Sequence, residues 1–411
     1  MVVIYLLIIK TYGLLIWTAS AFNAKANQWR KGRIDLLKNI KQTLKNNNEN
    51  RIWFHCSSLG EFEQGKPVIE AVRKEFPDHK IVLTFFSPSG YEQKKNDPLV
   101  DYVFYLPLDG PLNSKRFIDL IKPTAAFFVK YEFWHFYIYY LRQQKIPCYY
   151  FSCLFRPSQT FFQFYGRFSK NMLQRITHIF VQNQDSLVLL YKNSISNVTV
   201  SGDTRFDRVY ENSLSTKKFP DVEQFIQNKK VLVAGSTWQA DERILSELIN
   251  QTGDYKFIIV PHQINNVKIQ SLISSIKKKS IRYSQLKTEN ANDADVLIID
   301  NVGMLSSLYQ YATITYIGGG FGAGIHNTLE AAVFGKPLIF GPRYQQFQEA
   351  IDLIKSNGAF SISDFSGLNY HFDALNKDQD EFAKINSINR KYVEDKRGAT
   401  EVIMNYIRMN W

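Results

Sequence analysis

The segment Ser57-Ser58-Leu59-Gly60-Glu61 follows the apolar run Arg51-Ile52-Trp53-Phe54-His55-Cys56. It opens a stretch of helical spacing to Phe76, with Phe62, Val68, Ile69 and Val72 on one side. The run reads as a buried strand, so Glu61 falls in a first helical turn at the carboxyl end of a strand, where α/β enzymes keep their chemistry. A carboxylate there can take the proton of an attacking hydroxyl. The same position equally suits a glutamate that only caps the helix or complements its dipole. A second cluster, Gly318-Gly319-Gly320-Phe321-Gly322-Ala323-Gly324, lies between a strand and a helix expected to begin near His326-Asn327. Backbone can approach a ligand closely there, and a helix N-terminus offers unpaired N–H groups to an anion. The loop does not fit GxGxxG followed about 20 residues on by a ribose-binding acid. Glu330, one turn into that helix, either accepts both hydroxyls of a ribose or faces solvent.

Three more turns follow strand-like runs in the same half: Gly235-Ser236-Thr237, Pro261-His262, and Asp300-Asn301-Val302-Gly303-Met304-Leu305, with Gly303 at a second helix start. Each alone is ordinary punctuation. Four at the carboxyl ends of strands in one domain read as a nucleotide mono- or diphosphate pocket.

The elements that must position these residues alternate along the chain. Strand-like runs at Ile81–Phe86, Tyr102–Leu106, Ala125–Val129, Tyr149–Cys153 and Ile179–Gln182 are separated by helix-like intervals. Such repetition implies βαβ units and a parallel sheet. The polar stretch Asp207–Asn228 marks a junction. A second series follows at Val231–Ala234, Phe257–Val260, Val296–Ile299, Ile314–Ile317 and Leu338–Phe340. The expected fold is α/β: two tandem Rossmann-like domains, residues 34–207 and 208–411, their parallel sheets facing a central cleft. The helical tail from Asp373 to Trp411 is a candidate to pack back on the first domain.

Length bounds the same picture, because 411 residues exceed a comfortable single core. Fifty Lys+Arg against 38 Asp+Glu give a formal charge of +12. That balance favours a polyanionic partner. The basic residues are dispersed and no nucleic-acid-binding motif occurs, so nucleic acid is not expected as that partner. Three cysteines, Cys56, Cys148 and Cys153, form no disulfide framework and no CxxC pair, as in a reducing compartment. Seven histidines show no HExxH or Cys/His spacing, and no metal or cofactor is expected. Residues 1–33 read as a membrane-anchor helix with a basic flank. Met1–Ile9 and Tyr12–Phe22 are almost wholly apolar, and Lys25, Arg30, Lys31 and Arg33 follow. Charge after the apolar stretch argues for an uncleaved anchor with the remainder of the chain in the cytoplasm. The alternative is a buried amphipathic helix of the first domain.

The motifs SSLGE (57–61), GSTW (235–238), IIVPH (258–262), DNVGML (300–305) and GGGFGAGIHNTLEAAVFGKPLIFGP (318–342) together resemble the Kdo transferases of lipopolysaccharide synthesis. The resemblance implies a GT-B glycosyltransferase at the cytoplasmic face of the inner membrane. Such an enzyme moves 3-deoxy-D-manno-octulosonic acid (Kdo) from CMP-Kdo to a phosphorylated lipid A precursor, lipid IVA, beside an anionic membrane surface. It assigns the general base to Glu61 and donor contacts to Pro261, His262, Gly303, Met304, Leu305, Asn327 and Glu330, with Ser236 and Thr237 in the adjoining motif. An acid-and-tryptophan motif of the family corresponds to Lys130-Tyr131-Glu132-Phe133-Trp134-His135, making Glu132 a second candidate carboxylate or a brace for the cleft. Arg156 is a candidate contact to the acceptor or to the donor carboxylate. Two departures stand out: His262 occupies the family's usual arginine position, and Trp238 occupies that of a histidine. An imidazole of ordinary pKa, about 6.5, is a poorer phosphate ligand near neutral pH than a guanidinium. Alternatives from the residues are another GT-B enzyme using a UDP-sugar, a sugar-nucleotide epimerase, or a membrane-tethered, non-catalytic nucleotide-binding module.

Overall fold

The structure is a computed structural model that describes residues 1–45, 49–286 and 293–411. The chain divides into two compact units, Met1–Arg208 with Arg397–Trp411, and Val209–Lys396. In the first unit, β1 (Arg51–Cys56), β2 (Lys80–Phe85), β3 (Tyr102–Tyr105), β4 (Pro123–Val129), β5 (Cys148–Cys153), β6 (His178–Val181) and β7 (Val198–Val200) form one parallel sheet in the order β3-β2-β1-β4-β5-β6-β7. In the second, β8 (Lys230–Thr237), β9 (Tyr255–Pro261), β10 (Ser280–Arg282), β11 (Val296–Ile298), β12 (Ile314–Ile317), β13 (Leu338–Phe340) and β14 (Ala359–Ser361) run in the order β10-β11-β9-β8-β12-β13-β14. All their pairings are parallel too.

Strands covered by helices on both faces carry apolar residues at every position, which is why the central ones stand out in the sequence. All six residues of β1 are buried. The three strands absent from the sequence reading, β7, β10 and β14, are edge strands of three residues each. Only one of the three residues in each is fully buried, so no apolar run announces them.

Side chains from both faces of the first sheet pack in two clusters. One is centred on Trp53, Phe128 and Tyr150, the other on Phe54, Phe127 and Phe151. Ile403, Met404 and Ile407 of the last helix, Ala399–Asn410, join the second cluster. That helix is fastened at its start by Asp207, whose carboxylate accepts from Gly398 N–H and from the N–H and hydroxyl of Thr400 at 2.6–2.7 Å.

The first helix, Val2–Ala19, is long and apolar enough to cross a membrane, and of its residues only Ile9 is buried. One stripe of it docks on the first unit. Tyr5 donates to Asp109 at 2.6 Å, the Tyr12 ring stacks on Phe86, and Gly13 fits closely against Leu108. Val3, Ile4, Leu7, Ile8, Leu14, Leu15 and Trp17 remain exposed on the helix. The sequence reading placed Arg33 in a basic flank facing lipid, and the structure corrects this. Its guanidinium lies over the Trp29 ring and donates to the carbonyls of Trp29, Phe86 and Leu106. Burial lowers its pKa to about 9, which leaves it charged at neutral pH, and the cation serves to staple loops together.

Candidate active site

In each sheet the strand order reverses beside the first strand, and α/β folds hold ligands outside the carboxyl ends of the strands at that switch point. In the first unit the switch lies between β1 and β4. Glu61 follows β1 and Glu132 follows β4, so the two candidate carboxylates flank it.

Glu61 stands in the first turn of the helix Leu59–Glu75, half-buried, with its carboxylate accepting from the Ser58 hydroxyl. Ser58 is the N-cap residue, so its hydroxyl restrains the acid instead of capping the backbone. Glu132 is held more firmly, in a loop that leaves β4 through Lys130 in left-handed backbone (φ 61°). Its Oε2 accepts from Trp134 Nε1 at 2.9 Å and lies 3.5 Å from His55 Nε2. His55, on β1, is fully buried, and its Nδ1 lies 2.9 Å from the Thr84 hydroxyl, which accepts from Trp53 Nε1 at 2.8 Å. A file of buried polar groups thus runs from Trp53 through Thr84 and His55 to Glu132. Beneath both acids is Cys56. Its burial first, then the charges of Glu61, Glu132 and Glu63, push the thiol well above its ordinary pKa. Cys56 is therefore an unreactive thiol and a marker that these carboxylates share one end of the sheet.

His55 was missed by sequence reasoning. Its only signal was a polar residue inside an apolar strand, and its partnership with Glu132 spans 77 positions of chain. Arg156 lies exposed beyond β5, the strand next to β4. Burial pushes the phenol of Tyr131, the neighbour of Glu132, up to about 12, and the Arg156 charge opposes that rise.

In the second unit the switch lies between β8 and β12. Ser236 and Thr237 end β8, Pro261 ends β9, and the glycine loop follows β12. The loop needs its glycines. A Cβ on Gly318 would stand 2.3 Å from the Ser236 carbonyl oxygen, and Gly319 has φ +93°. Asp241 ties the loop to β8: its carboxylate accepts from Gly319 N–H, Trp238 N–H and the Tyr316 hydroxyl at 2.9 Å each. Thr237 is buried with its hydroxyl donated to Glu242 at 3.1 Å, so it offers the site main chain and no free hydroxyl. Asn327 donates to Glu330 at 3.0 Å and accepts from Leu329 N–H, which orients the glutamate. Gly303, in left-handed backbone with φ +88°, is exposed above the buried Met304.

Two helix expectations need correction. The helices after Gly303 and Asn327 are single turns, Leu305–Leu308 and Leu329–Ala332. The first tightens at once into the 3-10 turn Tyr309–Tyr311, and the second stops before Gly335 (φ +75°) and Pro337. Helices this short have little cumulative dipole, so any anion there meets individual N–H groups and side chains.

Two imidazoles complete the site. His262, directly after β9, is exposed, and its ring stacks on Trp238 at 4.7 Å between centroids and on His326 at 4.4 Å. Trp238 Nε1 donates to His326 Nε2 at 3.1 Å. The two positions where the chain departs from the resembled pattern, Trp238 and His262, therefore touch each other. His326 was not foreseen, although it stands within the most distinctive motif.

The fold is of the GT-B type, two Rossmann-like units in one chain. A UDP-GlcNAc 2-epimerase from Neisseria meningitidis shares it with a TM-score of 0.62 at 18% identity, over 88% of this chain and all of that one. Residues 30–208 match the family model described as 3-Deoxy-D-manno-octulosonic-acid transferase (kdotransferase). The 3-deoxy-D-manno-octulosonic acid transferase of Aquifex aeolicus is 27% identical over 325 residues, 78% of this chain and 83% of the relative. That of Haemophilus influenzae is 24% identical over 375 residues, 87% and 86% of the two chains. The first unit thus carries a match to the Kdo transferase family model, and the chain is similar to Kdo transferases over most of its length.

Proposed function

We propose that the protein is a glycosyltransferase that moves Kdo from CMP-Kdo to a lipid A precursor, lipid IVA, at the cytoplasmic face of the inner membrane, without a metal or cofactor. The observation that carries this reading is the family match, joined to two switch points that bear different chemistry. In this reading the second unit binds the cytidylate through Ser236 and Thr237 main chain, Pro261, His262, Gly303, Met304, Leu305, Asn327 and Glu330. Asn327 fixes the Glu330 carboxylate where it can accept from ribose hydroxyls. As the CMP leaves, positive charge grows on the anomeric carbon and negative charge on the departing phosphate. First-turn N–H groups at Leu305 and the imidazole of His262 are the available donors to that phosphate.

Glu61 removes the proton of the acceptor hydroxyl as its oxygen attacks the anomeric carbon and the bond to the CMP oxygen breaks. This is a single displacement, so the anomeric configuration inverts. Glu132 fills a different role. With the Trp134 indole N–H donating to one oxygen and the buried His55 ring beside it, it is a restrained hydrogen-bond acceptor, suited to orienting the acceptor sugar. Glu61, tied only to a serine hydroxyl, is the freer base. Arg156 suits a carboxylate or phosphate of the substrates.

The bilayer association rests on the helix Val2–Ala19, whose exposed apolar face needs cover. Lys10, Arg30 and Lys38 rim a 700 Å³ groove beside it, with Trp17, Trp29 and Leu37 in its walls, which suits an anionic lipid surface. The test is mass spectrometry of the lipid formed from purified protein, CMP-Kdo and tetra-acylated precursor, with calorimetric binding of CMP and UDP in parallel. The reading expects a product heavier by one or more Kdo units and a preference for CMP. No product, or preference for UDP, would overturn it.

A further inference from the structure

The stack of three rings in the second unit has an internal logic. Trp238 and His326 are joined by the indole N–H, and His262 lies across both at interplanar angles of 26° and 25°. Because His326 Nε2 accepts that N–H, its ring is the neutral tautomer with hydrogen on Nδ1. Charging it would break the hydrogen bond and set two imidazolium rings face to face. Burial, then the His262 charge, hold His326 down at about 4, in keeping with that restraint.

His262 has the opposite circumstances. Among the described residues neither of its ring nitrogens has a hydrogen-bond partner, and no carboxylate lies within 4.0 Å to pair with it. An imidazolium there would rest on the face of an indole, the best aromatic surface for a cation. Burial keeps its pKa below the ordinary value in the free protein, so it is mostly neutral at pH 7. The nearby charges are accounted for. Asp241 is spent on Trp238, Gly319 and Tyr316, Glu242 accepts from Thr237, and Lys268 Nζ donates to Gln263 at 2.7 Å. What His262 lacks is an anion.

We propose that His262 takes up a proton when the phosphate of the nucleotide donor enters, with Trp238 supplying the face on which the imidazolium rests and the N–H that keeps His326 neutral. The proposal rests on the CMP-donor reading above. It makes the two departures from the family pattern one compensating change, a titratable cation with its support in place of a permanent one. Proton uptake coupled to binding means that affinity falls as pH rises above the free His262 pKa, and levels off above the pKa it has in the complex.

Calorimetric titration with cytidine 5′-methylphosphate tests this, because a phosphodiester keeps one charge between pH 6 and 9. Wild-type protein should bind more weakly by up to about tenfold per pH unit, the linkage slope for one proton. Paired titrations in buffers of different ionisation enthalpy should show uptake approaching one proton per ligand. His262→Arg should bind with nearly constant affinity and no proton uptake. Trp238→Leu should move the weakening to lower pH. Constant wild-type affinity, or a slope that persists in His262→Arg, would overturn the proposal and leave the donor reading standing. Absence of binding by wild type and His262→Arg at every pH would overturn the donor reading and the proposal with it.

Discussion

The two units share one architecture and divide the chemistry. Each is a seven-stranded parallel sheet whose order reverses next to its first strand. At the first switch point the chain places two carboxylates, Glu61 and Glu132. At the second it places glycine backbone, an asparagine-oriented glutamate and stacked imidazoles. The fold decides where function sits in both, and side-chain type at the strand ends decides what the function is. The support differs as well. Glu132 is backed by a buried file reaching Trp53, whereas the second site rests on exposed rings and loop main chain. Under the proposed function, Glu132 is the fixed acid that orients the acceptor, Glu61 the freer one that takes the proton, and the second site a surface that can re-form as nucleotide enters and leaves.

Substitutions can break this division selectively. Glu61→Gln should lower the rate of transfer by roughly 10²- to 10⁴-fold, the range for general base catalysis, and leave affinity for CMP unchanged. Weakened CMP binding in that variant would show that the halves are not separate in function. Gly318→Ala forces a methyl onto the Ser236 carbonyl, and should destabilise the second unit by about 2 kcal/mol. Denaturant unfolding would check the stability, and a normal CMP affinity would count against a closed loop–strand contact. His55→Gln sharpens the comparison within the first unit. By loosening Glu132 it should reduce kcat by about tenfold with KM for CMP-Kdo unmoved, as for a positioning group that acts only on the reacting complex. The anchor is tested by extraction: about 1 M salt, which shortens the screening length to about 3 Å, should leave the intact protein on membranes. Detergent should be needed to release it, and release by salt alone would contradict hydrophobic anchoring.

A separate effect is expected on stability in acid. Burial lowers His135, His178 and His326 to about 4, so the folded protein holds them neutral where the unfolded chain would bind protons. Stability should therefore decline as pH falls from about 6.5 towards 4. A melting temperature that stays constant over that window would contradict their burial.

The sheet cores and the carboxyl-end turns were legible because buried parallel strands read as unbroken apolar runs and the turns punctuate them. Glu61 could be placed to within a turn of helix by that rule alone. Edge strands escaped because they are short and partly wet. The single-turn helices after Gly303 and Asn327 escaped because Leu305 and Leu329 open good helical spacing that a 3-10 turn and a left-handed glycine then cut short. Arg33 looked like part of a lipid-facing cluster, since nothing local reveals that three carbonyls and an indole face await it. Nothing local reveals either that the Thr237 hydroxyl is committed to Glu242. The pairings His55 with Glu132 and Trp238 with His326 join residues 77 and 88 positions apart, and only folding brings them together.

The central claim is a single displacement driven by a base at the first switch point, with the nucleotide held at the second. The anomeric configuration of the sugar in the product, read by NMR on lipid made from CMP-Kdo by the purified protein, tests it most directly. Configuration opposite to that of the donor is expected. Retained configuration would require a covalent or front-face route and would contradict the role given to Glu61.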